Sequence, residues 1–189
     1  NYRTSAWLAS KLPRTANFFM NFGPVRWIME KTMKIPSERE FPAFATQTFR
    51  EWWAERGGAQ VQSEDKRVAY FHGCYSNYNT TGVAKALVEV YEELGYEIIV
   101  PKQKCSGTPM FANGRLDDAR RHARTNVEHL GDAIEQGYDV IATCSSCSMA
   151  LRKEYPEVFN LDGIEELAAH TYDAVEYLRI HEDLESIVA

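Results

Sequence analysis

Cysteine is scarce in this sequence, with four in 189 residues: Cys74, Cys105, Cys144 and Cys147. So few cannot make the disulfide framework of a small secreted scaffold. No apolar run approaches the ~18 residues of a membrane-spanning helix, and no signal-peptide pattern is present. Phosphate loops, dinucleotide fingerprints and a Ser-His-Asp ordering are all missing. The acidic body has no basic stripe to follow a nucleic-acid backbone, so no nucleic-acid partner is expected. The first residue is Asn1 rather than Met, which fits a processed or excised part of something longer.

What is present is ordinary globular composition, 44% apolar and 25% charged, long enough to bury a core without staples. Charge divides it. Residues 1–50 carry eight Lys/Arg against three Asp/Glu, and residues 51–189 carry thirteen against twenty-four. The basic part is also rich in aromatic residues. Pro13 and Gly23-Pro24 break it into short helical pieces, with Trp7, Leu8 and Leu12 on one face and Phe18, Phe19, Met20 and Phe22 in a charge-free run. Such a segment suits a membrane surface or a partner's docking face; the alternative is an arm packed on its own domain. Phe49, Trp52 and Trp53 then recur at helical spacing, and Gly57-Gly58 ends that piece. The expected division is a helical arm and linker over residues 1–58 and an α/β domain over residues 67–189.

The body alternates. Val68–Phe71, Glu97–Val100 and Val140–Ala142 are short apolar runs that read as strands. Between the first two lies a helix, with Thr80 or Thr81 as its cap and Val83, Leu87, Val90 and Leu94 inward. A longer helix opens at Asn113-Gly114, with Leu116, Ala119, Ala123, Val127, Leu130 and Ile134 inward. Helix is also expected from Cys144 to Tyr155-Pro156. A last helical region starts at a capping box, Asp162-x-x-Glu165, and carries Ile164, Leu167, Thr171, Val175 and Leu178 inward. The fold class is therefore α/β: a small parallel sheet with Rossmann-like right-handed crossovers and an N-terminal helical arm.

This topology places the cysteines. Cys74, Cys105 and Cys144 each follow a strand, and parallel strands end at one edge, where open α/β sheets bind ligands. Cys147 stands one helical turn beyond Cys144, and a helix N-terminus favours thiolate, the metal-binding form, at both. One shared metal or cluster site uses all four. A thioredoxin-like dithiol at Cys144 and Cys147, or four unrelated buried thiols, are the other readings. His72 is a candidate ligand or a donor behind the ligands. Gly107 gives close backbone approach or a positive φ. Asn77 and Asn79 read as turn residues, and His122 and His129 as solvated.

Phe71-His72-Gly73-Cys74, Asn77-Tyr78-Asn79, Lys104-Cys105, Gly107, Pro109, Ala112-Asn113-Gly114, Thr125–Glu128, Tyr155–Val158 and the stretch from Lys34 through Trp52 carry a resemblance. The chain resembles the cysteine-rich CCG domain found in the B subunits of heterodisulfide reductases and in their relatives. Within that superfamily it is similar to the C subunits of anaerobic glycerol-3-phosphate dehydrogenases, over most of the chain from about residue 25. The resemblance implies an iron–sulfur protein that takes electrons from flavin-containing dehydrogenase subunits and passes them towards a membrane quinone. That protein would be cytoplasmic and peripheral on the inner face of the cell membrane. It would hold a [4Fe–4S] cluster on Cys74, Cys105, Cys144 and Cys147, with His72, Ser106 and Gly107 behind them. Ser106 stands where the full pattern has a second cysteine; complete five-cysteine sets hold a noncubane cluster. Four thiolates suit a cubane cluster and equally a closed Zn²⁺ site. The alternative function is thus a zinc-bound or metal-free structural module that docks the dehydrogenase to the membrane.

Overall fold

The computed structural model describes residues 2–183, with side chains from Trp7 onward; the end of the 67–189 assignment lies outside the described residues. Three helices lead: α1 (Tyr2–Lys11), α2 (Pro13–Asn21) and α3 (Gly23–Met33). An irregular stretch then reaches α4 (Phe49–Glu55), whose N-terminus is held by a reciprocal cap. Glu51 N donates to Thr48 Oγ1 (3.2 Å) and Thr48 N donates to Glu51 Oε2 (2.9 Å).

The rest alternates as β1 (Arg67–Phe71), α5 (Gly73–Tyr78), α6 (Thr81–Glu93), β2 (Glu97–Ile99), α7 (Thr108–Phe111), α8 (Leu116–Glu135) and β3 (Asp139–Ala142). After β3 come α9 (Ser145–Met149), a π-helical turn (Ala150–Glu154), α10 (Tyr155–Val158), α11 (Ile164–Ala169), β4 (Thr171–Asp173) and α12 (Ala174–His181). The four strands pair in the order β2-β1-β3-β4, all parallel, so the α/β fold is as expected. β1 is central, and Val68 to Phe71 are fully buried.

Pleating sends alternate side chains to opposite faces. Ala69, Phe71, Val140 and Ala142 pack with the inner stripe of α8 and with Leu151, Tyr155 and Leu167. Val68, Tyr70, Ile98 and Ile141 pack with α6, α12 and Phe49. Phe49 thereby joins α4 to the body's core.

Several local expectations change. The sequence reads β4 as helix; pairing of Thr171, Tyr172 and Asp173 with β3 draws them into the sheet, and Val175 faces solvent. The α6 stripe is rotated: Ala84, Leu87, Val88 and Tyr91 are buried, while Val83 and Val90 are exposed. Both stripes are apolar, and the sheet chooses between them. Thr80 is the N-cap of α6 without a side-chain cap bond. α8 begins at Leu116 rather than at Asn113, with Leu116 itself exposed. Gly163, at φ 78°, precedes α11, so the Asp162/Glu165 box does not form. Among the described residues no helix is long and apolar enough to cross a membrane.

Candidate metal centre

Each strand hands its cysteine to the same edge of the sheet. After β1, His72 leads to Gly73 at φ 65° and to Cys74 in α5. After β2, Cys105, Ser106 and Gly107 form a buried loop; Gly107, at φ 91°, opens α7. A Cβ there would meet Ala119 of α8 at 3.4 Å, so the close approach that Gly107 permits is to α8. After β3, Cys144 is the residue before α9 and its carbonyl accepts from Cys147 N (2.8 Å) and Ser148 N (3.0 Å).

The four thiols line one cavity of about 360 Å³, together with His72, Gly73, Tyr75, Ser106, Thr108, Pro109 and Ser146. Cys74 Sγ stands 3.6 Å from Cys105 Sγ. Ser106 Oγ donates to Cys147 Sγ at 3.4 Å, and Cys144 Sγ lies 3.1 Å from Ser146 Oγ. A Cβ on Gly73 would come within 3.2 Å of Cys147 Sγ, so glycine there keeps room for sulfur. Among the described residues no three or more His, Cys, Asp or Glu side chains are already gathered as for a single ion.

The thiols differ in acidity. Hydrogen bonds from Cys147 and Ser146 bring Cys144 down to about 5, against the opposing effect of burial. Cys147 is pushed up, because its proton is engaged with Cys144 and because it is buried. The two thiols expected to share a helix N-terminus are thus driven in opposite directions, chiefly by their bond to each other. Cys74 is also raised, by its hydrogen bond with Cys105 and then by burial. A metal drawing in all four sulfurs would release the protons of the buried pair-members. The donor set is soft, four sulfurs with the Ser106 and Ser146 hydroxyls beside them, and matches thiolate-seeking metals and iron–sulfur groups.

Polar residues brace this edge. The buried ring of His72 turns both nitrogens to the protein: Nδ1 bonds the Gly73 carbonyl, and Nε2 accepts from Arg50 Nε at 3.2 Å. Burial, the larger cause, holds His72 down at about 3 and keeps it neutral. Arg50 also reaches the Val100 carbonyl (3.3 Å) and the Pro101 carbonyl. Asn77 Oδ1 accepts from Arg50 N (3.1 Å), and Asn79 Nδ2 donates to the Ala43 carbonyl (2.9 Å). Both asparagines thus tie the N-terminal stretch to the body.

The sequence reading missed three of these supports: Arg50, Gln103 and Asn126. Gln103 Nε2 donates to the Tyr70 carbonyl at 3.0 Å, and its Oε1 accepts from Gly73 N at 3.4 Å. Asn126, fully buried in α8, accepts from Lys104 N (2.7 Å) and donates to Tyr155 Oη (3.0 Å). An asparagine set among inward-facing Ala123, Val127 and Leu130 was the available signal, since buried polar groups need partners. His122, expected in solvent, lies 3.1 Å from the Cys105 carbonyl through Nδ1. His129 is 3.9 Å from Asp132, on the outer side of α8.

Residues 68–152 match the model of the cysteine-rich domain family, CCG. The C subunit of anaerobic glycerol-3-phosphate dehydrogenase from Escherichia coli (strain K12) is 43% identical over 142 residues, 74% of this chain and 36% of that protein. The B subunit of the CoM/CoB fumarate reductase of Methanothermobacter marburgensis is 34% identical over 119 residues, 60% of this chain and 23% of its own. An uncharacterized iron–sulfur protein of Methanocaldococcus jannaschii is 33% identical over 99 residues, 51% of this chain and 20% of its own. The chain thus spans about a third or less of these relatives. No solved structure matches it at a significant level. Cysteine placement and strand order agree with this match: residues 68–152, a little under half of the chain, form a segment similar to the cysteine-rich CCG domain family.

Proposed function

We propose that this chain is the iron–sulfur, electron-carrying part of a dehydrogenase or reductase complex. The observation that carries the reading is the convergence of four thiols from three loops on one cavity of about 360 Å³. That is several times the roughly 30 Å³ share of one water molecule, and so has room for more than one ion. Relatives named as subunits of such complexes, and one named as an iron–sulfur protein, support it.

In this reading Cys74, Cys105, Cys144 and Cys147 hold a [4Fe–4S] cluster, which when bound takes up and gives back one electron at a time. Ser106 donates to the Cys147 sulfur, and Gly73 leaves that sulfur its space. Arg50 and His72 fix the Cys74 turn. Residues 67–189 form the electron-carrying domain and residues 1–58 its arm. Electrons come from a flavin-containing subunit of a glycerol-3-phosphate dehydrogenase-like complex and leave towards quinone. The arm meets the cytoplasmic face of the membrane: Trp7, Leu8, Leu12, Phe18, Phe19 and Phe22 are exposed beside Lys11 and Arg14. Flotation on anionic liposomes checks that contact. A chain lacking residues 1–35 stays at the bottom of the gradient if the arm binds; equal flotation with and without it removes the membrane from the proposal.

A structural zinc module is the second reading, favoured by one distance. A tetrahedral ZnS₄ site with bonds of about 2.3 Å sets its sulfurs about 3.8 Å apart, close to the 3.6 Å between Cys74 and Cys105. Metal and acid-labile sulfide analysis after anaerobic purification separates the two. Iron and sulfide near four per chain, with absorption around 400 nm, is expected for the cluster. One zinc per chain without sulfide overturns it.

A further inference from the structure

The body's charge is unevenly placed. Six of its thirteen Lys/Arg residues lie between Lys102 and Arg124, where the acidic residues are Asp117 and Asp118 alone. The remaining body carries seven Lys/Arg against twenty-two Asp/Glu. Lys104, Arg120, Arg121, His122, Arg124 and Thr125 line a concavity of about 500 Å³ on the outer side of α8. Arg120, Arg121 and Arg124 are exposed there. Asp118 pairs with both Arg115 and Arg121, so one carboxylate serves two cations. The Arg120 guanidinium lies 5.9 Å from the Phe159 ring centre.

We propose that this basic concavity is the docking face for an acidic patch on the redox protein that exchanges electrons with the cysteine centre. The inference rests on the electron-transfer reading above. Lys104 immediately precedes Cys105, and the helix that carries the arginines also holds the Cys105 loop, through His122 at the Cys105 carbonyl and Asn126 at Lys104 N. A partner seated on this face is therefore one residue from a thiol of the centre. With a cluster held by the four cysteines, one electron would pass to it from the partner's reduced flavin or iron–sulfur group, with no bond formed or broken. Complementary charge steers the encounter and fixes its orientation. A long polyanion fits less well, because beyond the concavity it meets the acidic remainder of the body.

The test uses a fluorescein-labelled flavodoxin, a small acidic flavin protein, as probe. Its association is followed by anisotropy at low and high salt. Two double variants change net charge equally: R120E/R124E at the face, and K153E/R179E at exposed positions elsewhere. The expected result is binding that weakens with salt, falls on the order of tenfold in R120E/R124E, and changes less than about twofold in K153E/R179E. Equal losses in both variants, or no salt-sensitive association, overturn the docking face. A labelled single-stranded oligonucleotide bound more tightly than flavodoxin, and released by R120E/R124E, overturns the choice of partner. Stopped-flow bleaching near 400 nm by reduced flavodoxin must follow the same order of variants. If the anaerobically reconstituted chain has no such absorption, the electron-transfer reading fails, while anisotropy still decides the face.

Discussion

The arm and the body carry similar helical periodicities and bury them to opposite degrees. In α2 and α3 the one buried residue is Arg26, while Phe18, Phe19, Phe22, Trp27 and Ile28 are exposed. In the body, α6 and α8 close their stripes against opposite faces of the sheet. Polar contacts hold the arm. Asn17 exchanges two hydrogen bonds with the backbone of Phe44 (2.8 and 2.9 Å), and Arg26 bonds the Ser37 and Arg39 carbonyls while its guanidinium lies 4.7 Å from the Phe41 ring centre. An apolar stripe states that a helix has a face to bury. It does not state against what, and among the described residues only the body supplies a surface that closes over such a stripe.

The contrast breaks most readily in the core. Leu130 is fully buried on the inner side of α8, and Leu130→Ala is expected to cost about 2–5 kcal/mol in urea unfolding. A loss under about 1 kcal/mol would mean that the body is no better closed than the arm. Next is Gly73→Ala. A left-handed φ disfavours any Cβ by about 1–2 kcal/mol, and this one would press on Cys147 Sγ. The expected outcome is a modest loss of stability with a larger loss of bound metal, measured as metal per folded chain. Unchanged loading would show that the sulfur has room to retreat.

Much of the body was legible because its signals are local. Val68–Phe71 and Val140–Ala142 are apolar runs ended by turns, and parallel strands carry their following loops to one edge. That logic places residues 74, 105 and 144 at one edge, and the structure has all three lining one cavity there. What escaped was set by tertiary contacts. β4 is three residues long and exists through pairing with β3. Val83 and Val90 form as good a stripe as Ala84, Val88 and Tyr91, and only the sheet's position selects the second. Arg50 lies twenty-two residues before its partner His72, with no periodicity to announce the contact. The arm's aromatic cluster was legible as a cluster, but not whether anything covers it.

The hinge between the two regions offers a smaller effect. Thr48 caps the helix whose first residue, Phe49, enters the body's core against Tyr70 and His72. Thr48→Ala is expected to cost about 1 kcal/mol. No measurable cost would place α4 with the arm rather than with the body.

The smallest expected change comes from the most conspicuous residues. Phe18, Phe19 and Phe22 remain 60%, 54% and 42% exposed, with the Phe18 ring 5.6 Å from that of Phe19 and 5.5 Å from that of Phe22, centroid to centroid. Hydrophobic stabilisation scales with apolar surface removed from water, and these rings have removed little. The triple variant F18S/F19S/F22S is therefore expected to unfold within about 0.5 kcal/mol of the parent, with the same denaturant slope. Its self-association should fall, since exposed aromatic surface is where unwanted contacts start. A loss above about 1 kcal/mol would show that the cluster supports the fold within this chain, and would remove the ground for assigning it an external surface. Unchanged stability with lower self-association is the pattern of an apolar face kept for a contact outside the chain, because then the three rings matter to encounters and not to folding.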